Sequence, residues 1–249
     1  MANYGWQDID VLLVDGYNVQ PMTVIDLQLP KIMADIEELP GAGDQYATKL
    51  PTGTKKVDGP VVLRMPLDDA AGGSYAAFVT AAHVTNGVVC IGLRGNTAAA
   101  NFYGFKAHQL DYAQEPAVRQ LTKVAATWEV NGQMHEGKII RTLASITADG
   151  DTESSPVDNA AASSGGGEAF VQIGSLSLDG HTNLAVKLRH STDGVAWSDL
   201  VSFTAVTAAR SGQQVAVSGT INRYVAASWD FTGAGTSPSA TLFVGLKRY

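Results

Sequence analysis

The chain has 249 residues, 45% of them apolar, and 17 Lys/Arg stand against 24 Asp/Glu for a net charge of −7. That length suits two domains of ordinary size, and the apolar share excludes wholesale disorder. The acidity is uneven: net −5 over residues 1–150, −3 over 151–167 and +1 over 168–249, which argues against a front half built to grip phosphate.

Residues 10–15 (DVLLVD) form a short apolar run closed by Asp15-Gly16, with residues 17–19 resuming, which reads as a hairpin or tight strand exit. Residues 22–29 (MTVIDLQL) alternate as a half-buried strand. Residues 32–39 follow as a further strand or a single helical turn; both fit the pattern. Residues 40–60 (PGAGDQYATKLPTGTKKVDGP) hold four Gly and three Pro with little periodicity. So long a structureless loop is expected to be either a mobile surface loop or an assembly loop that orders against a neighbouring subunit.

Residues 61–67 return to strand. Residues 74–84 (SYAAFVTAAHV) are the best helical pattern, with Ser74 as cap and Tyr75, Phe78, Val79 and Ala82 on one face. Strands are expected at 88–93, 102–109 and 119–130. Asn131-Gly132 is the strongest hairpin signal in the chain, with 137–143 as its return strand. The front module, 1–150, is thus a mostly antiparallel β domain carrying one helix.

Residues 151–167 are acidic and then Ser/Gly-rich, ending in AAASSGGG, and read as a flexible linker. Beyond it, strands at 169–178, 183–190, 199–203, 213–218, 222–231 and 240–247, separated by Asp-Gly and Ser-Gly turns, predict a C-terminal β-sandwich over 168–249. The fold class expected is therefore mainly β throughout. Cys90 is the only cysteine and suits a reducing cytoplasm. The acidic start is not read as a secretion signal, and no apolar run approaches the length of a membrane span, so no membrane insertion is expected.

Reactive chemistry is hard to find. His83, His108, His135, His181 and His190 stand singly, without the spacing of a metal site. No G-x-S-x-G elbow or calcium-loop pattern occurs, and GLRGN (92–96) reads as a strand ending in a turn. Asp68-Asp69 suits a helix N-terminus, and Glu37-Glu38, Glu129 and Glu136 read as solvated. No catalytic residue, metal or cofactor is therefore expected. Trp197 and Trp229 leave two readings open: core tryptophans of a sandwich, or surface aromatics that stack on sugar rings.

The run LLVDGYNV (12–19), GLRG (92–95), NFYGFKAHQLDY (101–112) and VRQLTKVAATWEVNGQMHEGKII (118–140) resembles the major tail proteins of long-tailed bacteriophages. VKLRHSTDGVAWSDLVSFTAVTAAR (186–210) and VAVSGTINRYVAASW (215–229) are similar to the C-terminal domain attached to many of them. The resemblance implies a structural virion protein: a tail-tube-like β-sandwich or barrel whose copies join edge to edge into hexameric rings. The rings stack into a conduit for DNA ejection. It also implies other tail proteins as partners, DNA only as passing cargo, weak contact with host cell-surface glycans, and a virion tail assembled in the bacterial cytoplasm. On that reading the assembly loop is represented by Gly41, Asp44, Tyr46, Lys49, Thr54, Lys55 and Lys56. Removing 168–249 is then expected to leave tubes intact but smoother. The rival readings are a capsid decoration or cement protein, and a carbohydrate-binding receptor-recognition module.

Overall fold

The computed structural model describes residues 9–19, 26–29, 31–39, 48–67, 78–79, 87–92, 95–115 and 122–249. The fold is mainly β, built on antiparallel pairings. The front half contributes β1 (Val11–Val14), β2 (Tyr17–Asn18), β3 (Asp26–Gln28), β4 (Lys31–Leu39), β5 (Thr48–Asp58), β6 (Val61–Pro66), β7 (Gly87–Gly92), β8 (Asn101–Glu115) and β9 (Lys123–Ile146). The remainder contributes β10 (Gly150–Asp151), β11 (Val157–Asp158), β12 (Gly167–Ser177), β13 (Asn183–Ser191), β14 (Ser198–Ser202), β15 (Ser211–Val217), β16 (Tyr224–Thr232) and β17 (Ser239–Arg248). The helix expected over 74–84 lies outside the described residues apart from Phe78 and Val79, which are helical.

One ten-stranded sheet runs β15-β12-β17-β9-β8-β7-β1-β2, with β6 on β9 and β3 on β6. β9 is the spine. Its first half pairs with β6 from Val61↔Trp128 to Pro66↔Lys123, and its second half pairs on that same edge with β17, from Lys138 to Ile146. The expected Asn131-Gly132 hairpin is absent: β9 runs straight through it, with β8 along its other edge. From Gly104↔His135 to Lys106↔Asn131, β8 advances two residues and β9 four. The surplus is a bulge, and Gly132 supplies the positive φ of 92° there. A glycine that tolerates φ > 0 serves a bulge as readily as a turn, so the dipeptide alone does not choose.

Two further expectations change. The structureless loop over 40–60 contains an eleven-residue strand, since β5 pairs with β4 from Lys31↔Asp58 to Leu39↔Thr48. The acidic linker is not a free tether. β10 and β11 line the edge of β16, Ser163 bridges Ile221, and Arg223 grips Asp158 through both carboxylate oxygens at 2.7 and 2.6 Å. Its glycines are there for closeness: a Cβ on Gly166 would strike the Val217 carbonyl, and one on Gly167 the Lys247 carbonyl. The large sheet likewise joins strands from both sides of residue 150, through the pairing of β9 with β17.

Alternation places the cores. In β6, Val61, Leu63 and Met65 are buried, and they pack with Leu12, Val14, Phe78, Val89, Ile91, Phe105, Val124, Ala126 and Trp128. In the C-terminal half, Leu184, Val186 and Leu188 of β13 meet Ala169, Val171 and Ile173 of β12, Leu242, Val244 and Leu246 of β17, and Ile140 and Ile146 of β9. Between them lies a third core. Val11, Leu13, Val88, Cys90, Phe102 and Ile139 from the front strands close against Phe170 and Phe243 from the back ones. Phe102 stands edge-on to both partner rings, with centroids 5.5 and 5.6 Å away. This seam is why β1, β12 and β17 are buried on both faces.

Gln172, fully buried, ties the seam polar-to-polar. It accepts the Gly16 N–H at 2.6 Å and donates to the Val88 carbonyl at 2.9 Å. Beside it, Asp15 Oδ1 accepts the Val88 N–H at 2.7 Å, while Oδ2 is buried without a partner. Burial therefore raises the Asp15 pKa, against a smaller lowering from the Val88 bond. The folded protein binds this proton more tightly than the unfolded chain. Its contribution is fully present below the ordinary aspartate value of 3.8 and is lost as pH rises through the raised folded value. The Asp15→Asn variant keeps an acceptor and suits the left-handed backbone (φ 45°). It is expected to exceed the native protein in stability at pH 7 by about 1 kcal/mol, because it removes the charge that burial penalises and keeps the acceptor for the Val88 N–H. The gap should shrink as pH falls toward 4; urea titrations showing a pH-independent gap would contradict this assignment.

Candidate assembly surfaces

Natural sheets hide their edges, because unpaired N–H and C=O groups recruit other chains. One border here is hidden with care. Beyond β8, the β9 edge is covered by residues 96–100: Ala99 N–H donates to the Ile139 carbonyl at 2.8 Å and Ile139 N–H to the Ala100 carbonyl at 2.9 Å. Asn96 does the same with its side chain, donating to the Leu143 carbonyl at 2.8 Å and accepting the Leu143 N–H at 2.7 Å. Asn96, the end of GLRGN, thus acts as a surrogate strand residue.

Other borders are left bare among the described residues. β4 and β5 form a two-stranded sheet bonded only to each other. β15 pairs with β12 on one side alone, and its sequence SGQQVAV has no charge and no proline. β14 likewise pairs only with β13, but it carries Asp199, which is held by Lys187 at 2.7 Å and Arg189 at 3.3 Å.

The expected assembly residues divide. Gly41, Asp44 and Tyr46 lie outside the described residues. Lys49, Lys55 and Lys56 stand in β5 opposite Glu38, Ala34 and Met33, and Thr54 falls in the irregular stretch where the register shifts between Ala34 and Ile36. The structure thus places four of the seven on one strand of the hairpin.

Trp197 and Trp229 are both half-buried and share no ring contact. Trp229 pairs across strands with Val186 and packs against the sandwich core. Its Nε1 donates to the Ala148 carbonyl at 2.9 Å, and the Arg141 guanidinium lies 4.9 Å from its ring centroid. That ring is already used by the protein. Trp197 sits at the β13–β14 turn, where its carbonyl accepts from Arg189 at 3.1 Å.

Two grooves were not foreseen from the sequence. One, ≈ 330 Å³, lies on the outer face of β13 and β16 beside Lys187, Arg189, Asp199, Ser228 and Asp230. The other, ≈ 630 Å³, lies between β15, residues 204–210, Val88 and Lys106. Among the described residues its charges are Lys106 and Arg210, and no carboxylate lines it. Arg210 stacks on Tyr17 at 4.6 Å and donates to its hydroxyl at 3.4 Å. The signal for this groove is spatial, because Lys106 and Arg210 are over a hundred positions apart.

Among the described residues, reactive groups do not converge. His135 is buried against Phe170 and bonded to the Tyr249 hydroxyl at 3.1 Å, and burial lowers its pKa. His190 Nδ1 accepts the Asn222 N–H at 3.2 Å, and His181 Nδ1 is 2.8 Å from the Leu178 carbonyl. His83 is outside the described residues. Among the described residues no group of three or more His, Cys, Asp or Glu could hold a metal ion.

No protein-family model matches the chain, and no curated protein does. Among solved structures, the chain is similar to the SPP1 Dit (gp 19.1) protein, described as a paradigm of the hub adsorption apparatus in Gram-positive infecting phages. The identity is 11% over 96% of this chain and 98% of that one, with a TM-score of 0.38. It is also similar to a chain in the structure of infectious bursal disease virus, Gx strain. There the identity is 14%, over 88% of this chain and 56% of that one, with a TM-score of 0.21.

Proposed function

We propose that this chain is a non-enzymatic structural subunit of a bacteriophage tail: the repeating unit of a tail tube, assembling in the host cytoplasm into stacked hexameric rings that conduct DNA outward. The observation that carries the reading is the β4–β5 hairpin, bonded only to itself among the described residues. A two-stranded sheet alone is marginal in water, so such an arm calls for a surface to lie on. Copies of the same protein supply that surface in a ring or stack. The sequence resemblance to major tail proteins names the assembly, and the net −5 of residues 1–150 suits a bore past which phosphate slides. Partners on this reading are further copies and other tail proteins; glycan contact by the C-terminal sandwich is secondary.

Lys31 and Asp58 pair across the base of the hairpin, so the arm can be excised and its stumps joined by a two-residue turn. The armless protein is expected to melt cooperatively and to stay monomeric in sedimentation, while the native protein forms tubes visible in negative stain. Tubes of normal length without the arm, or a native protein that only coats spherical shells, would refute the proposal.

A further inference from the structure

We infer that residues 159–166 form a proton-sensitive strap: His190 and His135 hold it against the C-terminal half only while their rings are uncharged, and mild acid frees it. The inference does not depend on the assembly reading above.

The strap, NAAASSGG, carries no large side chain, so it has little apolar surface of its own to bury. Its anchors are polar and few. Ser163 and Ile221 exchange both backbone hydrogen bonds, at 2.9 and 2.8 Å. The Gly166 carbonyl accepts the Tyr249 N–H at 2.9 Å, and the Ala161 carbonyl accepts from Arg248 at 2.8 Å. The strap therefore stays down only while residues 221–222 and 248–249 stay in place.

A histidine positions each of those two segments. Nδ1 of His190 accepts the Asn222 N–H at 3.2 Å. An amide N–H can only donate, so this nitrogen must carry no proton; an imidazolium sets N–H against N–H and loses the bond. The charges nearby are committed elsewhere: Arg189 to Glu153 and Asp199, Arg223 to Asp158, and Asp193 to Ser191 and two turn amides. The flanking strands set Val225 and Ser198 beside it. His135 meets the Tyr249 hydroxyl at 3.1 Å and lies against Phe170, with 7% of its surface exposed. That hydroxyl can turn to accept, so here protonation costs chiefly the burial of a charge. Glu168 on β12 favours the charge and Lys247 on β17 opposes it; Glu136, next along β9, is bonded to Asn101, and β8 sets only Gly104 opposite.

Burial holds both rings below the ordinary histidine value of 6.5. Freeing the strap opens them to water, so the freed form binds protons more tightly. The clasp is complete above pH 6.5 and is lost as pH falls from there through the depressed values. Release stops at β11, because Arg223 holds the Asp158 carboxyl at about 2.

Amide hydrogen exchange of the full chain at pH 7.5 and pH 5, with rates corrected for their intrinsic pH dependence, tests the clasp. Protection of the Ser163, Ile221 and Tyr249 amides is expected to fall about tenfold or more at pH 5, while β12 and β13 hold theirs. In His190→Asn, Oδ1 takes the place of Nδ1 as an acceptor that does not titrate, so Ser163 and Ile221 should stay protected at both pH values. His190→Ala should expose them at both. Near-ultraviolet circular dichroism confirms that each variant is folded, and the native response stands as a test by itself. Native protection that ignores pH, a loss shared equally by β12 and β13, or a His190→Asn variant as acid-sensitive as the native protein would each overturn the inference.

Discussion

A chain ending at residue 159 is expected to be recovered without a cooperative fold, even though it retains the whole front half. Such a truncation removes β12 and β17, so β9 loses its partner from Lys138 to Ile146. It also strips Phe170 and Phe243 from the seam, exposing Val11, Leu13, Val88, Cys90, Phe102 and Ile139, all now at most 3% accessible. At about 1.5–3 kcal/mol for each fully buried aliphatic or aromatic side chain, even half-exposure forfeits roughly 5–8 kcal/mol. That is comparable to the whole stability of an ordinary domain, about 5–15 kcal/mol. Near-ultraviolet circular dichroism and a melting curve decide it; a dispersed, cooperatively melting fragment would show that the front sheet closes its own seam. The expectation that removing 168–249 leaves tubes intact is reversed here, because the second half supplies strands to the first.

The seam also predicts how the halves communicate. Phe102→Ala should cost about 3–5 kcal/mol, the range for a large aromatic removed from a packed core. The informative part is where the loss appears. Phe102 touches one ring on β12 and one on β17, and those strands line the sandwich core with their opposite faces. Amide exchange in β7 and in β16 should therefore accelerate together. Acceleration confined to β7 would mean that the seam fastens the halves without coupling them.

Much of the local structure could be read from residue order. Asp15-Gly16 does close the β1–β2 turn, and the six C-terminal strands fall where alternation and Asp-Gly turns place them. Period-two burial in β6 and β13 is plain in the letters. The candidate assembly residues were legible only as a segment: Lys49, Thr54, Lys55 and Lys56 read as part of a loop and lie instead in a strand. Pro51, Gly53 and a run of polar residues suppress the strand signal there, and pairing with β4 overrides it.

What composition and periodicity determined by themselves is the mainly β class and the strand-by-strand inward faces, because a strand's alternation is set by its own pleat. Tertiary contact decided the rest. Whether Gly132 turns or bulges, whether Gly166 and Gly167 flex or pack, and whether residue 150 ends a sheet all depend on groups far along the chain: β8, the Val217 and Lys247 carbonyls, and β17. Glycine permits all of these outcomes at similar local cost, so only the strand that arrives beside it can choose among them.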